Sequence, residues 1–122
     1  MHEMSLMSEI MEIVSEDAAA RGFKMVRRMD VIVGDLSNVL PDALELAFLF
    51  FQRQEGTMID VSSTLHIIRE EAKAQCPACQ CEFQPDYRIA LCPECGVPGC
   101  LLVSGETFRV ESYEGSYEDN EN

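Results

Sequence analysis

Basic residues are scarce in this chain of 122 residues, which has nine Lys and Arg against twenty-two Asp and Glu. Its formal charge is therefore −13. Proteins that bind nucleic acid neutralise phosphate groups with Lys and Arg, so this composition argues against a nucleic-acid partner. The acidic balance instead favours cations, or proteins with basic or mixed surfaces, as partners.

Long apolar runs are also missing. The longest uninterrupted run covers residues 46–51 and is far too short to span a bilayer. The start of the chain, MHEMSLMSE, has neither the basic region nor the apolar core of an export signal. Free cysteines beside a metal-binding motif fit a reducing compartment. We therefore expect a cytoplasmic protein without a membrane partner.

Histidine is limited to two positions, His2 and His66. No pattern of Ser, His and Asp indicates nucleophilic catalysis, and the cysteines are better used as metal ligands. We expect the protein not to be an enzyme. His66 is predicted to lie on a strand and face solvent, because nothing near it in the sequence makes it a ligand.

What the chain does have is a cysteine-rich stretch at residues 76–95, CPACQCEFQPDYRIALCPEC. Each of its two Cys-x-x-Cys pairs predicts a tight turn, or knuckle, and a hairpin in the intervening residues would bring the two knuckles together. Four thiolates can then form a closed tetrahedral shell, which suits a structural zinc ion. The four predicted ligands, called the knuckle cysteines below, are Cys76, Cys79, Cys92 and Cys95.

Other uses of these cysteines are weaker. Two Cys-x-x-Cys pairs in one chain rarely occur without a metal, so disulfide bonds or a chance pattern are less favoured explanations. A tetrahedral sulfur cage also accepts iron, as in rubredoxin-like knuckles, which would make the protein a coloured electron carrier. Cys81 and Cys100 are left over, and we expect both to be small, partly buried thiols.

Periodicity predicts an α+β fold with two helices on a three-stranded sheet. Apolar residues at three- and four-residue spacing predict a helix over residues 4–21, which Gly22 ends. A second helix begins at Pro41, and its stripe places the aromatic residues of that segment in the core. Alternating apolar residues predict the three strands. These strands cover residues 24–33, 64–69 and 107–113.

The order of these segments predicts a domain with an insertion. Residues 1–70 plus 106–114 would form the α/β domain, residues 71–105 the zinc-ribbon-like module, and residues 115–122 an acidic disordered tail. The module is too small to be held by apolar burial, whereas zinc binding to such segments contributes about 10 to 16 kcal/mol. The metal would therefore hold the module folded.

The first three residues, Met1, His2 and Glu3, form a second possible metal site. The amine of Met1, the imidazole of His2 and the backbone nitrogens between them can close fused chelate rings in one plane. This geometry suits nickel(II) or copper(II). From the residues themselves, a solvated terminal histidine is the simpler interpretation.

Several motifs together resemble one family. They are the start MHEMSL, the strand end at residues 32–34, the stretch LSNVLPDAL at residues 36–44, the paired knuckles, and TFRV at residues 107–110. In this order they resemble the HypA/HybF family of hydrogenase-maturation nickel chaperones across nearly the whole chain. Two positions depart from the family pattern: Leu40 stands where an acidic residue is common, and Gln80-Cys81 stand where a glycine follows the first knuckle.

The resemblance implies a metal at each site. Nickel would be carried at Met1, His2 and Glu3, and structural zinc at the knuckle cysteines. It also implies delivery of nickel to [NiFe] hydrogenase, or in some relatives to urease, with a HypB-type GTPase and the hydrogenase large-subunit precursor as partners. The resemblance leaves open whether the protein forms a homodimer. The alternative is a zinc-ribbon interaction or regulatory module that delivers no nickel.

Overall fold

Helix α1 spans His2–Ala20 and follows the predicted stripe. Its inward side chains recur at three- and four-residue spacing, so they form one buried face. The buried apolar members are Met7, Ile10, Met11, Val14 and Ala18. We describe the fold from a computed structural model that covers residues 2–85 and 91–118.

Gly22 ends α1 as predicted, through a Schellman motif. The Gly22 N–H donates to the carbonyl of Ala19 at 3.0 Å, and the Phe23 N–H donates to the carbonyl of Ala18 at 2.9 Å. Gly22 has a φ of +82°, which a residue with a side chain adopts only at a cost. The last carbonyl groups of the helix therefore have partners.

Strand β1, Met25–Gly34, supplies the centre of the core. Met29, Val31 and Val33 are buried and alternate with less buried residues, as a strand with one covered face requires. Helix α2, Pro41–Gln52, packs against α1 and buries Leu44 and Ala47 together with Phe48.

One expectation for α2 is wrong in part. The aromatic residues of this helix were expected in the core, and Phe48 is indeed buried. Phe51 is only half-buried, and Phe50 keeps 48% of its surface exposed, next to the exposed Leu46 and Leu49. Phe50 lies outside the predicted stripe of residues 44, 47, 48 and 51, so the error was to place every aromatic residue of this helix in the core.

Three strands form the predicted sheet. Strand β2 is Thr64–Glu70, and the strand after the cysteine-rich stretch is Phe108–Ser116, numbered β6. Their order is β2-β1-β6, so the last strand pairs beside the first. The predicted fold class is confirmed. Strand β6 continues to Ser116, beyond the predicted strand end, while residues 119–122 of the expected tail lie outside the described residues.

A second sheet, in the cysteine-rich part of the chain, consists of three short strands. Strand β3, Lys73–Gln75, pairs antiparallel with β4, Glu82–Phe83, and with β5, Leu101–Ser104. A register shift between Lys73 and Ala74 interrupts the β3–β5 ladder. The sequence did not predict β3 or β4, because runs of three and two residues show no measurable alternation.

The chain divides into two compact units. The helical unit comprises Met1–Val31, Val39–Ile67 and Val110–Asn122, and the cysteine unit comprises Ile32–Asn38 and Ile68–Arg109. The predicted domain boundaries, at residues 70/71 and 105/106, stay a prediction. Within the described residues, neither helix is both long and apolar enough to cross a lipid bilayer.

Candidate metal centre

The first knuckle is the turn of the β3–β4 hairpin. The Cys79 N–H points at Cys76 Sγ at 3.5 Å, and the Gln80 N–H donates to the carbonyl of Cys76 at 2.9 Å. The Cys76 N–H in turn donates to the carbonyl of Cys81 at 2.9 Å. Gln80 turns the chain with a φ of +66°. The hairpin therefore encloses the first knuckle. The hairpin predicted between the knuckles includes residues 86–90, which lie outside the described residues.

The second knuckle repeats this geometry. The Cys95 N–H points at Cys92 Sγ at 3.5 Å, and the Gly96 N–H donates to the carbonyl of Cys92 at 2.9 Å. The Cys92 N–H donates to the carbonyl of Val97 at 3.1 Å. Gly96 has a φ of +72°. Val97 therefore corresponds to Cys81 of the first knuckle.

The four knuckle sulfurs converge, all within 4.8 Å of one another. The nearest sulfurs belong to different knuckles: Cys76 and Cys95 are 3.5 Å apart, and Cys79 and Cys92 are 3.6 Å apart. A disulfide bond measures about 2.05 Å, so these are separate thiols. Four sulfurs at about 2.3 Å from a zinc ion form a tetrahedron with edges of about 3.8 Å, which is close to the two shorter separations found here.

Burial differs between the two ligands of each knuckle. Cys76 and Cys92 are almost fully buried, at 0% and 3% exposure, whereas Cys79 and Cys95 are exposed. The first cysteine of each pair therefore lies on the inside of the module, packed against Ala74. The second one faces solvent.

Hydrogen bonds separate the acidities of the four thiols. The Cys79 N–H lowers the pKa of Cys76 to about 6, and the Cys95 N–H lowers the pKa of Cys92. For Cys79 the Cys81 N–H acts in the same direction. The hydrogen bond with Cys92 and burial outweigh it, however, and raise the pKa to about 12.

Cys95 follows the same pattern as Cys79. The Val97 N–H lowers its pKa, but the hydrogen bond with Cys76 and burial outweigh this effect, so the pKa of Cys95 is raised. Across the knuckles, each sulfur whose pKa is lowered therefore faces one whose pKa is raised, because two adjacent anions repel. A divalent cation would supply the positive charge that lets all four ionise. The donor set therefore fits a tetrahedral thiolate metal ion.

The two remaining cysteines touch this cluster. Cys100 is buried at 6% exposure, and Cys81 is half-buried against the same group, so the expectation of partly buried thiols is confirmed. Burial raises the pKa of Cys100, and so does a hydrogen bond with the Cys76 sulfur. Burial also raises the pKa of Cys81, and so does the charge of the nearby Cys92 sulfur.

The predicted nickel residues lie at the start of α1. His2 is the first helical residue and its side chain is 60% exposed, while Met1 lies outside the described residues. Glu3 is buried, and its Oε2 accepts a hydrogen bond from the Leu40 N–H at 3.2 Å. The same oxygen lies 3.7 Å from His2 Nδ1. The hydrogen bond from the Leu40 N–H lowers the pKa of Glu3 more than any other interaction does.

The contact between Glu3 and Leu40 has no signal in the sequence, because it uses a backbone N–H 37 positions away. Leu40 stands where the family often has an acidic residue, but the contact with Glu3 does not depend on that side chain, because only the backbone N–H of Leu40 takes part. His66 lies on β2 and is exposed, as expected. Its Nδ1 is 3.1 Å from Arg28 Nη2 and 3.4 Å from Asp30 Oδ1.

Comparison with known proteins identifies the family. A family model described as hydrogenase/urease nickel incorporation, metallochaperone, HypA, matches residues 1–115. The hydrogenase maturation factor HypA of Moorella thermoacetica is 32% identical over 115 residues, covering 94% of this chain and 99% of that protein. The factor of the same name from Geotalea uraniireducens is 37% identical over 114 residues, covering 93% and 98%.

Solved structures agree on the fold. The solution structure of the nickel metallochaperone HypA from Helicobacter pylori superimposes with a TM-score of 0.63 at 23% identity, covering 95% of this chain and 98% of that one. A second solution structure of a HypA protein gives a TM-score of 0.67 at 24% identity, covering 96% and 98%. These matches, with the family model over residues 1–115, show that the chain belongs to the HypA family of metallochaperones for nickel incorporation in hydrogenase maturation.

Proposed function

We propose that this chain carries nickel(II) at its first three residues and holds a structural zinc ion at its knuckle cysteines. Nickel would be bound by the amine of Met1, the imidazole of His2 and the backbone nitrogens through Glu3, and then passed to [NiFe] hydrogenase. The protein acts by binding and transfer and is not an enzyme. The observation that carries the nickel proposal is the position of His2, exposed at the first residue of a helix.

The helix start supports nitrogen coordination. The first four N–H groups of an α-helix have no acceptor within the helix, so the amides of His2 and Glu3 are not needed for the hydrogen bonds of α1. An imidazole and nearby backbone nitrogens are ligands that nickel(II) accepts in a planar arrangement. An exposed site also lets an acceptor replace the ligands one at a time, so release can be fast.

Glu3 would have two roles. Its backbone nitrogen belongs to the proposed chelate, while its carboxylate is held by the Leu40 N–H at 3.2 Å. That hydrogen bond fixes the first turn of α1 against the start of α2, since Leu40 is the N-cap residue of α2. The carboxylate also places a negative charge 3.7 Å from His2 Nδ1, which favours a cation at this site.

The zinc proposal is supported by the closed geometry of the sulfurs. All four converge from two turns of the same kind, and two of them are buried, which leaves no open position for substrate. The role of zinc would therefore be structural: its bonds to the four sulfurs would hold the cysteine unit together. The short strands β3, β4 and β5 provide little apolar burial, so the metal would carry much of the stability of this unit.

The transfer partners follow from the family assignment. We infer a HypB-type GTPase and the hydrogenase large-subunit precursor, met in the cytoplasm, with urease as a second recipient in some relatives. Nitrogen ligands bind copper(II) more tightly than nickel(II), so selectivity must come from metal supply and from docking to the correct partner. The formal charge of −13 favours docking surfaces that are basic or mixed.

The deciding experiment is metal analysis of untagged protein before and after nickel addition. We expect zinc in the protein as purified and about one further nickel ion per chain, lost in His2→Ala. His66→Ala is the matched control, because His66 is the other of the two histidines. It should bind nickel like the wild type. Nickel affinity should also fall between pH 8 and about 5.5, because protons compete for imidazole and amine.

Two outcomes would replace this proposal. Zinc-loaded protein that takes up no nickel would indicate a zinc-ribbon interaction module. A coloured, redox-active protein would indicate iron in the sulfur cage, because zinc sites do not absorb visible light. Equal nickel binding in His2→Ala and wild type would remove the assignment of the imidazole.

A further inference from the structure

A groove of about 560 Å³ lies between helix α1 and strand β6, and we call it the α1–β6 groove. Helix α1 contributes Ile13, Val14 and Asp17 to its lining, and β6 contributes residues 110–113. All of these residues belong to the helical unit. The groove is therefore a feature of one compact unit, and it contains none of the residues proposed to bind metal.

Strand β6 lies at the edge of its sheet. The strand order is β2-β1-β6, so β1 is the only strand beside β6 in the part of the chain that the structure describes. At nine residues, β6 is longer than the average strand of about five to six. An edge of this length presents backbone groups that can pair with a further strand. The sheet can therefore be extended on this side.

The groove follows this edge. Val110 and Tyr113 are half-buried, whereas Glu111 and Ser112 are exposed. Side chains of a strand point to the two faces of its sheet, so a groove lined by all four residues reaches the backbone edge between those faces. A segment that entered the groove in an extended conformation would therefore lie alongside β6.

The two walls of the groove are connected before any segment binds. The Tyr113 hydroxyl on β6 donates a hydrogen bond to the carboxylate of Asp17 on α1. The Tyr113 ring also packs edge-to-face against Phe23, with the ring centroids 6.3 Å apart. These contacts fix the distance between the helix and the strand, so a bound segment would not have to order the groove.

Helix α1 provides an apolar contact in the groove. Ile13 keeps 63% of its surface exposed, and it is the only large apolar residue of α1 that is exposed. Its neighbour Val14 also lines the groove but is buried at 2%. Exposed apolar surface is stabilised when another apolar side chain covers it. An aliphatic residue in a bound segment would do this at Ile13.

Charge decides which kind of segment fits. The groove has two acidic lining residues, Asp17 and Glu111, against one basic residue, Arg21, whose Nε lies 2.9 Å from Asp17 Oδ2. A second copy of this chain would bring a further charge of −13, and its β6 would bring Glu111 and Glu114 to the edge, so like charges would meet. A segment with Lys or Arg is attracted instead.

We propose that the α1–β6 groove is a docking site for an extended, basic segment of a partner protein, which joins the sheet as a strand beside β6. Backbone hydrogen bonds with β6 would hold the segment, and its alternate side chains would cover Ile13 and meet the acidic residues. The inference does not depend on the proposed metals. Ile13 lies 11 residues after His2, about 16 Å along the helix axis, so the start of α1 stays accessible.

Two synthetic octapeptides with blocked ends serve as probes for the full chain. In one, valine alternates with lysine, and in the other, valine alternates with glutamate. Fluorescence anisotropy of the labelled peptides measures affinity, and chemical-shift changes of the protein's backbone amides locate the contact. We expect the lysine peptide to bind, with shifts at residues 110–113 and weaker binding at high salt. The glutamate peptide should bind at least about tenfold more weakly.

Changes on both molecules test the contacts. Ile13→Asp and Glu111→Arg alter exposed side chains of the groove, and each should weaken binding of the lysine peptide about tenfold. Leu46→Asp is the matched control, because Leu46 is 66% exposed on α2 and lies outside the groove. A lysine peptide methylated at every backbone nitrogen should not bind, since it has no N–H to donate to β6.

Several results would overturn the proposal. They are no binding of the lysine peptide, equal binding of the two peptides, wild-type affinity for the methylated peptide, and a loss in Leu46→Asp as large as that in Ile13→Asp. A dimer of the protein with shifts at residues 110–113 would assign the groove to a second copy instead. If Ile13→Asp does not fold, Glu111→Arg and the methylated peptide decide. His2→Ala should bind the lysine peptide normally, so failure of the nickel proposal is separate.

Discussion

Gln80 and Gly96 occupy equivalent positions in the two knuckles and share a left-handed backbone conformation, with φ angles of +66° and +72°. Both donate their N–H to the carbonyl of the first cysteine of their pair at 2.9 Å. A residue with a Cβ atom adopts this conformation at a cost of about 1–2 kcal/mol, whereas glycine does not pay it. The first knuckle is therefore strained at one residue, and the second is relaxed.

Replacing that strained residue should stabilise the protein. We expect Gln80→Gly to raise the free energy of unfolding by about 0.5–1 kcal/mol, since relief of strain exceeds the added flexibility of the unfolded chain. Gly96→Ala should lower it by about 1 kcal/mol. Space is not the reason there, because a Cβ at Gly96 would meet nothing within 4 Å. Chemical denaturation of the zinc-loaded variants measures both. Destabilisation by Gln80→Gly would show that its side chain outweighs the strain.

Gly105 should tolerate no side chain. Its φ is +115°, and a Cβ placed there would lie 2.6 Å from the Cα of Ala72, well inside contact distance. We expect Gly105→Ala to cost more than about 2 kcal/mol in thermal or chemical unfolding. Gly99→Ala is the control, because Gly99 has a φ of +75° with nothing within 4 Å. It should lose about 1 kcal/mol, so equal losses would contradict the role of close approach.

Two opposite faces of α2 should respond differently to truncation. Phe48 is 4% exposed and Phe50 is 48% exposed. We expect Phe48→Ala to lower the free energy of unfolding by about 3–5 kcal/mol, because it leaves a cavity. Phe50→Ala should change it by less than about 1 kcal/mol, since that ring stays largely in solvent. Chemical denaturation of both variants measures the contrast. A large loss in Phe50→Ala would mean that the ring is covered in solution.

Asp17 should titrate below the ordinary range of aspartate. Hydrogen bonds from the Tyr113 hydroxyl and then from Arg21 lower its pKa. A lowered pKa stabilises the fold above about pH 3.9, the ordinary value, and this contribution disappears as pH falls through the folded pKa.

Removing the tyrosine hydroxyl tests this directly. In Tyr113→Phe, the pKa of Asp17 should move back toward its ordinary value, as followed by nuclear magnetic resonance titration of the carboxylate. The stability difference from the wild type should shrink below about pH 4. Tyr117→Phe, at a tyrosine that is 65% exposed, should leave the Asp17 titration unchanged. An unaltered pKa in Tyr113→Phe would show that Arg21 alone lowers it.

Parts of the fold could be predicted because their signals are long and periodic. The α1 stripe repeats over nineteen residues and ends at a glycine, and β1 alternates over ten, so both patterns exceed chance. Strands β3 and β4 span three and two residues, and they exist because the first knuckle joins them as a hairpin. The helical stripe at residues 44, 47, 48 and 51 already favoured Phe48 over Phe50, whereas the partial exposure of Phe51 depended on packing.

The residues proposed to bind metal could be recognised from their types and spacing along the chain. The spacing of two Cys-x-x-Cys pairs specified the four sulfurs that meet, His2 stood in the second position, and the excess of acidic residues argued against nucleic acid. Such features are local in the chain, so no contact has to be known to recognise them.

Three relationships became visible only in the folded chain: which sulfurs are buried, which thiols lie beside them, and the hydrogen bond that the Leu40 N–H donates to the carboxylate of Glu3. These relationships join residues far apart in the chain through packing and through backbone N–H groups. Every residue except proline carries such a group, so no residue type marks it in advance.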